Sequence, residues 1–172
     1  MVFLIRHTLY LKNDKYIRKV KFLGWELNVD YDLTNSTYSN PNTIGSLKSC
    51  NCDDCKNFIN NINTLYPDEI KNLLITLGID YHKPCETWRI YKDGNLHKYS
   101  GWFHFKGDFT GEDCLIIIDK EISELRLKSI TENFSIGFCY KNSLTLFQNR
   151  NDLVQIEFEV KIPWTIDSPE SE

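Results

Sequence analysis

Three cysteines fall within six residues, Cys50, Cys52 and Cys55, and a fourth thiol, Cys85, closes the short run His82-Lys83-Pro84-Cys85. Soft thiolates and imidazole suit a tetrahedral zinc ion. A two-residue gap lets Cys52 and Cys55 face one ion from a single helical turn, with Cys50, His82 or Cys85 completing the ligand set. A second chemistry is redox: Cys52-Asp53-Asp54-Cys55 is a dithiol at a helix N-terminus, where the dipole lowers a thiol's pKa and the two aspartates oppose it. The plainer reading needs no chemistry. Cys52 and Cys55 extend upstream the apolar stripe of Phe58, Ile59, Ile62 and Leu65, so both thiols face the core as small hydrophobes.

A second group is aromatic and basic. Phe103 and Phe105 alternate with Trp102, His104 and Lys106 on one extended segment. With the phenylalanines in the core, the other three form an exposed stripe of the kind that stacks a nucleotide base or anchors a protein. Joined to the segment 30–49, Tyr38 included, that stripe is the expected binding surface. A sheet covered on both faces explains the same alternation without a ligand.

No glycine-rich phosphate loop, nucleophile elbow or His-Glu-x-x-His pattern occurs. His7 and His97 are isolated. Glu112, Asp113 and Asp119 flank an apolar run, where paired acids can hold magnesium and where turn and cap duty is the simpler role. Without a catalytic constellation, the expected function is non-catalytic binding of another protein, of the immunity or inhibitor type or as an accessory of mobile elements, with no cofactor. The alternatives are a zinc- or redox-dependent protein built on Cys50–Cys55, and a small-nucleotide binder using the aromatic strand.

These residues need elements to position them. Val2–Leu11 and Ile17–Val29 read as two strands joined by a polar turn at Lys12–Lys15, the second interrupted at Gly24. Residues 30–49, rich in Asn, Ser, Thr, Pro and Gly, read as a long loop. A helical pair follows over about 51–78. Asn51 is placed as N-cap with Asp54 in the reciprocal position, Pro67 opens the second helix, and Gly78 closes it with Ile79 folded back onto Leu74. Strands then fill 87–164: Thr87–Tyr91, a turn at Lys92–Asn95, Tyr99–Phe109, a two-sided buried strand Leu115–Ile118, and a hairpin of Phe134–Tyr140 with Leu144–Phe147. The last strand points Val154, Ile156, Phe158, Val160 and Ile162 inward and Gln155, Glu157, Glu159 and Lys161 to water. The whole is expected to be one α+β domain over 1–172, mainly antiparallel, with one central helical hairpin and a tail over 165–172.

Composition sets the outer limits. With 172 residues, 41% hydrophobic and 13% aromatic, the chain has material for a single core rather than a disordered segment. No run reaches the roughly 18 apolar residues of a membrane span. The opening Val2-Phe3-Leu4-Ile5 is too short for a secretory signal, so a cytoplasmic location with reduced thiols is expected. Residues 1–25 carry a formal +5, leaving −9 for the rest, which permits a basic face toward an acidic partner. The net charge of −4 argues against nonspecific nucleic-acid binding.

Two pieces have a familiar look together. Cys52-x-x-Cys55-x-Asn57-Phe58, followed by Leu77-Gly78-Ile79-Asp80 with Lys83, Pro84 and Glu86, resembles a loosely defined group of uncharacterised bacterial proteins, whose chains also end in an Ile-Pro-Trp-like strand as Ile162-Pro163-Trp164 does. The resemblance implies no activity. Its pattern includes neither His82 nor Cys85, which weighs against a four-ligand site using both.

Overall fold

A computed structural model describes residues 6–12, 15–119, 123–141 and 144–169. Among the described residues the order is β1 (Arg6–Lys12), β2 (Lys15–Phe22), β3 (Trp25–Asp30), α1 (Tyr31–Ser39), α2 (Ser46–Ser49), α3 (Asp53–Leu65), α4 (Asp68–Thr76), β4 (Glu86–Asp93), β5 (Leu96–Thr110), β6 (Leu115–Ile117), β7 (Ser123–Leu125), β8 (Lys128–Thr131), β9 (Phe134–Cys139) and β10 (Leu153–Pro163). The fold is α+β and the pairing is antiparallel throughout. It carries four helices rather than the single helical pair expected.

The strands run β1-β2-β3-β5-β10-β9-β8, with β4 also on β5, and β6-β7 form a separate ribbon. Strand β5 is the organiser. Along one edge it pairs with β10 from Leu96 to Lys106. Its other edge is shared: β4 takes the stretch up to Trp102, and β3 takes Gly107–Thr110. Between those partners a gap opens at residues 103–106.

Helix α1 fills the gap, and here the expected long loop is wrong. Asp30 caps the helix by accepting from the Leu33 N–H at 3.1 Å. Thr34 and Tyr38, one turn apart, point inward and are buried. The Tyr38 hydroxyl accepts from the His104 N–H at 3.1 Å and donates to the His104 carbonyl at 3.0 Å, and the Thr34 hydroxyl accepts from the Lys106 N–H at 3.1 Å. Two side chains thus replace the missing strand. The segment is rich in weak helix formers, so what holds it helical is the cap and this buried contact rather than propensity.

Helices α3 and α4 cover one face of the sheet. Phe58 and Tyr66 lie against Phe158 at ring distances of 6.2 and 5.6 Å, and Tyr66 meets Phe103 at 6.0 Å. Gly78, at φ +84, ends α4 as expected, with its N–H on the Ile75 carbonyl and the Ile79 N–H on the Leu74 carbonyl. Other local expectations shift. Helix α3 starts at Asp53, so its N-cap is Cys52 and not Asn51, while Pro67 is the N-cap of α4 rather than its first residue. The buried stripe of α3 takes Asn57 and Asn61 in place of Ile59, which is exposed.

Several strand expectations also change. Leu23-Gly24, both at positive φ, reverse the chain fully, so Ile17–Val29 is a hairpin of two strands. Leu115–Ile118 is not a two-sided buried strand, since Ile117 at the end of β6 and Ile118 just past it are exposed. Residues 144–147 form no strand; this stretch crosses the other face of the sheet instead. Val2–Ile5 lie outside the described residues, as do Asn13 and Asp14 of the first turn.

Candidate functional site

Where the chain crosses that second face it seals in a polar layer. Trp102 donates its indole N–H to the Leu144 carbonyl at 2.8 Å, and Lys106 donates to the carbonyls of Asn149, at 2.7 Å, and Asn151. Beneath it, His104, Lys106, Gln155 and Glu157 are all buried. This corrects two expectations at once. The outward side of β10 does not face water at Gln155 and Glu157. The aromatic-basic stripe is not an exposed platform either: the sheet is covered on both faces, and only Trp102 keeps partial exposure, packed edge-on against Trp88 at 5.5 Å. The structure does bring this strand to the 30–49 segment, through Tyr38, but as core.

The thiols divide into three groups. Cys50, Cys52 and Cys55 place their sulfurs within 4.8 Å of one another, with Cys50 Sγ 3.1 Å from Cys52 Sγ. Only Cys55 is buried. Cys52 is exposed, because the helix begins one residue after it and leaves it in extended backbone at φ −73, ψ 161. The expectation that Cys52 continues the core stripe therefore fails. The backbone N–H of Cys52, then the neighbouring thiols, pull the Cys50 thiol below its usual pKa. Burial first, and contact with the other two thiols second, push Cys55 well up. The two aspartates between the cysteines are held in ion pairs, Asp53 with Lys56 at 2.8 Å and Asp54 with Arg89 at 3.0 Å.

His82 and Cys85 do not join this cluster. His82 is exposed, bound to Asp80 at 2.9 Å with its other nitrogen 3.4 Å from Asn63. Cys85 is buried beside His104, its sulfur 3.4 Å from His104 Nδ1 and 3.9 Å from the Tyr38 hydroxyl. Opposite Nδ1, His104 Nε2 meets two carbonyl oxygens, Gln155 Oε1 at 3.0 Å and the Lys141 backbone at 3.2 Å. Two acceptors require that nitrogen to carry the hydrogen. Burial lowers the His104 pKa to about 4, so the ring is neutral and Nδ1 is a bare lone pair aimed at the thiol. Burial also pushes the Cys85 thiol up to about 11, against the opposing pull of the Leu146 backbone and the Tyr38 hydroxyl. The Gln155 amide is turned in its own right, donating to Glu157 Oε1 at 2.5 Å.

The third group is Asp113, Cys114 and Cys139, again with ligand atoms within 4.8 Å. Contact with Cys139 first, then burial, raises the Cys114 thiol, and the Asp113 carboxylate accepts from the Leu115 N–H at 2.8 Å, the cap role expected. These two thiols fill space behind β9, where a Cβ on Gly137 would sit 2.5 Å from that of Cys114.

Comparison of the chain with models of known protein families, with curated proteins and with solved structures finds no match in any of the three. The motif pieces nevertheless have a structural relation. Asn57 donates to the Pro163 carbonyl at 3.1 Å and accepts from the Thr165 N–H at 2.7 Å, so it clasps the chain around Trp164. Lys83 donates to the carbonyls of Tyr38 and Asn40 at the end of α1, and the Pro84 carbonyl accepts from Ser46 at the start of α2. These residues hold the helices over the sheet. Among the described residues no helix is long and apolar enough to cross a membrane.

Sequence reading missed the Cys85–His104–Gln155 line altogether. Its members lie on two strands and in the loop before β4; the β5–β10 register sets Gln155 opposite His104, and the Cys85 N–H on the Trp102 carbonyl brings the thiol to the other edge of β5.

Proposed function

We propose that the protein binds a zinc ion through Cys50, Cys52 and Cys55, leaving the fourth coordination position open. What supports this is the convergence of three sulfurs, two of them exposed, at the start of α3. Sulfur ligands on a tetrahedral zinc lie about 3.8 Å apart, and the three thiols already lie within 4.8 Å of one another, so small side-chain rotations suffice. The Cys52 N–H favours thiolate at Cys50, and the ion itself would deprotonate the raised Cys55 thiol. Three thiolates balance the ion's charge with one negative charge to spare. Three protein ligands and an open position are the pattern of a reactive or transferable ion rather than of a closed structural site.

The test is elemental analysis of protein purified without chelator. One zinc per chain, lost on Cys52→Ser with the circular dichroism spectrum unchanged, is the expected result. A metal-free protein that also fails to take up added zinc refutes the reading.

A further inference from the structure

We propose that Cys85, His104 and Gln155 form a site for acyl transfer, with Cys85 as nucleophile, His104 as its base and Gln155 as the group that positions the base. The substrate class is a small neutral or cationic ester or thioester. Three observations carry this. The sulfur and the bare Nδ1 lone pair are 3.4 Å apart, within reach of direct proton transfer. The ring is fixed from behind, since Gln155 Oε1 and the Lys141 carbonyl hold Nε2–H and the Glu157 carboxyl fixes the Gln155 amide. Cys85 also lines a cavity of about 420 Å³, a volume suited to a small molecule.

The walls of that cavity choose the substrate. Ile44, Leu144 and Leu146 offer an apolar surface to an acyl chain, while Glu86 repels an anionic leaving group. Two acceptors lie on the far nitrogen of the base. Those acceptors are what an imidazolium needs once it has taken a proton.

The steps balance without a co-reactant other than water. Cys85 Sγ attacks the carbonyl carbon and its proton passes to His104 Nδ1, forming the S–C bond of a tetrahedral intermediate. Collapse breaks the bond to the leaving group, which departs with the proton from Nδ1. Water then attacks the acyl-Cys85 thioester, giving a proton to Nδ1; the acid is released and the thiol recovers that proton. The resting pair is neutral, so His104 acts during the attack rather than holding a thiolate in readiness.

The cavity also borders Cys50, a ligand of the proposed zinc, so acylation is read on metal-free protein and then repeated with zinc added, which keeps the two readings apart. The full chain is treated with p-nitrophenyl acetate, the release of p-nitrophenol is followed, and the acetyl group is located by peptide mapping. Acetyl-Cys85 is expected in the metal-free protein, together with a p-nitrophenol burst. Cys85→Ala removes it, and His104→Asn slows acylation of Cys85 by about 10²-fold or more. Should His104→Asn unfold, Gln155→Met decides: with the fold intact by circular dichroism, it is expected to slow acylation at least about tenfold and to shift its pH profile. Acetyl confined to the exposed Cys50 and Cys52, or a Cys85 rate indifferent to His104 and Gln155, overturns the proposal.

Discussion

Replacing Tyr38 with phenylalanine removes one oxygen and leaves the ring in place, which makes it the sharpest probe of how α1 completes the sheet. That oxygen serves both backbone groups of His104 on the open edge of β5, at 3.1 and 3.0 Å. The ring remains against Phe147, 6.2 Å away and edge-on. A buried backbone group left without a partner costs about 1–3 kcal/mol. Two such groups, lessened by the desolvation no longer needed for the hydroxyl, amount to a loss of about 3 kcal/mol. In a chain of this size that lowers Tm by about 6–12 °C. Thr34→Val removes only the acceptor for the Lys106 N–H and is expected to cost about half as much. Urea unfolding followed by tryptophan fluorescence measures both, and hydrogen exchange at the His104 amide reports the site directly. A loss below about 1 kcal/mol for Tyr38→Phe, with the His104 amide still protected, would refute the idea that side-chain hydroxyls stand in for a strand.

Two further outcomes are expected. The unfolded chain takes up a proton at His104 near pH 6.5, which the folded protein refuses until about pH 4. Stability is therefore undiminished by this group above pH 6.5 and falls by about 3 kcal/mol as pH drops to 4; an NMR titration showing the ring protonating near 6.5 in the folded state removes that effect. Gly107→Ala should cost more than about 3 kcal/mol in urea unfolding, since at φ +149 its Cβ would overlap the Asn28 carbonyl oxygen. Gly94→Ala, at φ +61 with open space around it, should cost only about 1 kcal/mol; equal losses at the two positions would contradict this account of the β3–β5 junction.

The elements carried by local pattern were legible without coordinates. The 3.6-residue spacing of Phe58, Ile62 and Leu65 marks α3, Gly78 marks the end of α4, and Gly94 marks the β4–β5 turn, because each depends on neighbours within a few positions. Helix α1 was not legible in that way. Its signals were an Asp30 cap and the pair Thr34 and Tyr38 among residues that favour turns, and its stability comes from a sheet edge more than sixty residues away. Asn57 and Asn61 were absent from the expected buried stripe of α3 for the same reason: the Pro163–Thr165 segment they bind is over a hundred residues distant.

The thiols show the same division. Sequence spacing keeps Cys50, Cys52 and Cys55 neighbours along the chain, while the turn into α3 brings their sulfurs within 4.8 Å of one another. Whether Cys52 faced solvent or core depended on a one-residue shift in the start of α3. His82 and Cys85, three residues apart, looked like one ligand pair, yet the turn sends His82 to Asp80 at the surface and Cys85 inward to His104. The pairing of the thiol with the base depends on the β4 edge of β5, where the Cys85 N–H meets the Trp102 carbonyl, and the pairing of that base with Gln155 depends on the β5–β10 register. The sequence by itself determined the α+β class, the helical signals and the thiol cluster, all products of local spacing. Tertiary structure alone decided which polar residues are buried together, because burial and cross-strand register are properties of the assembled sheet.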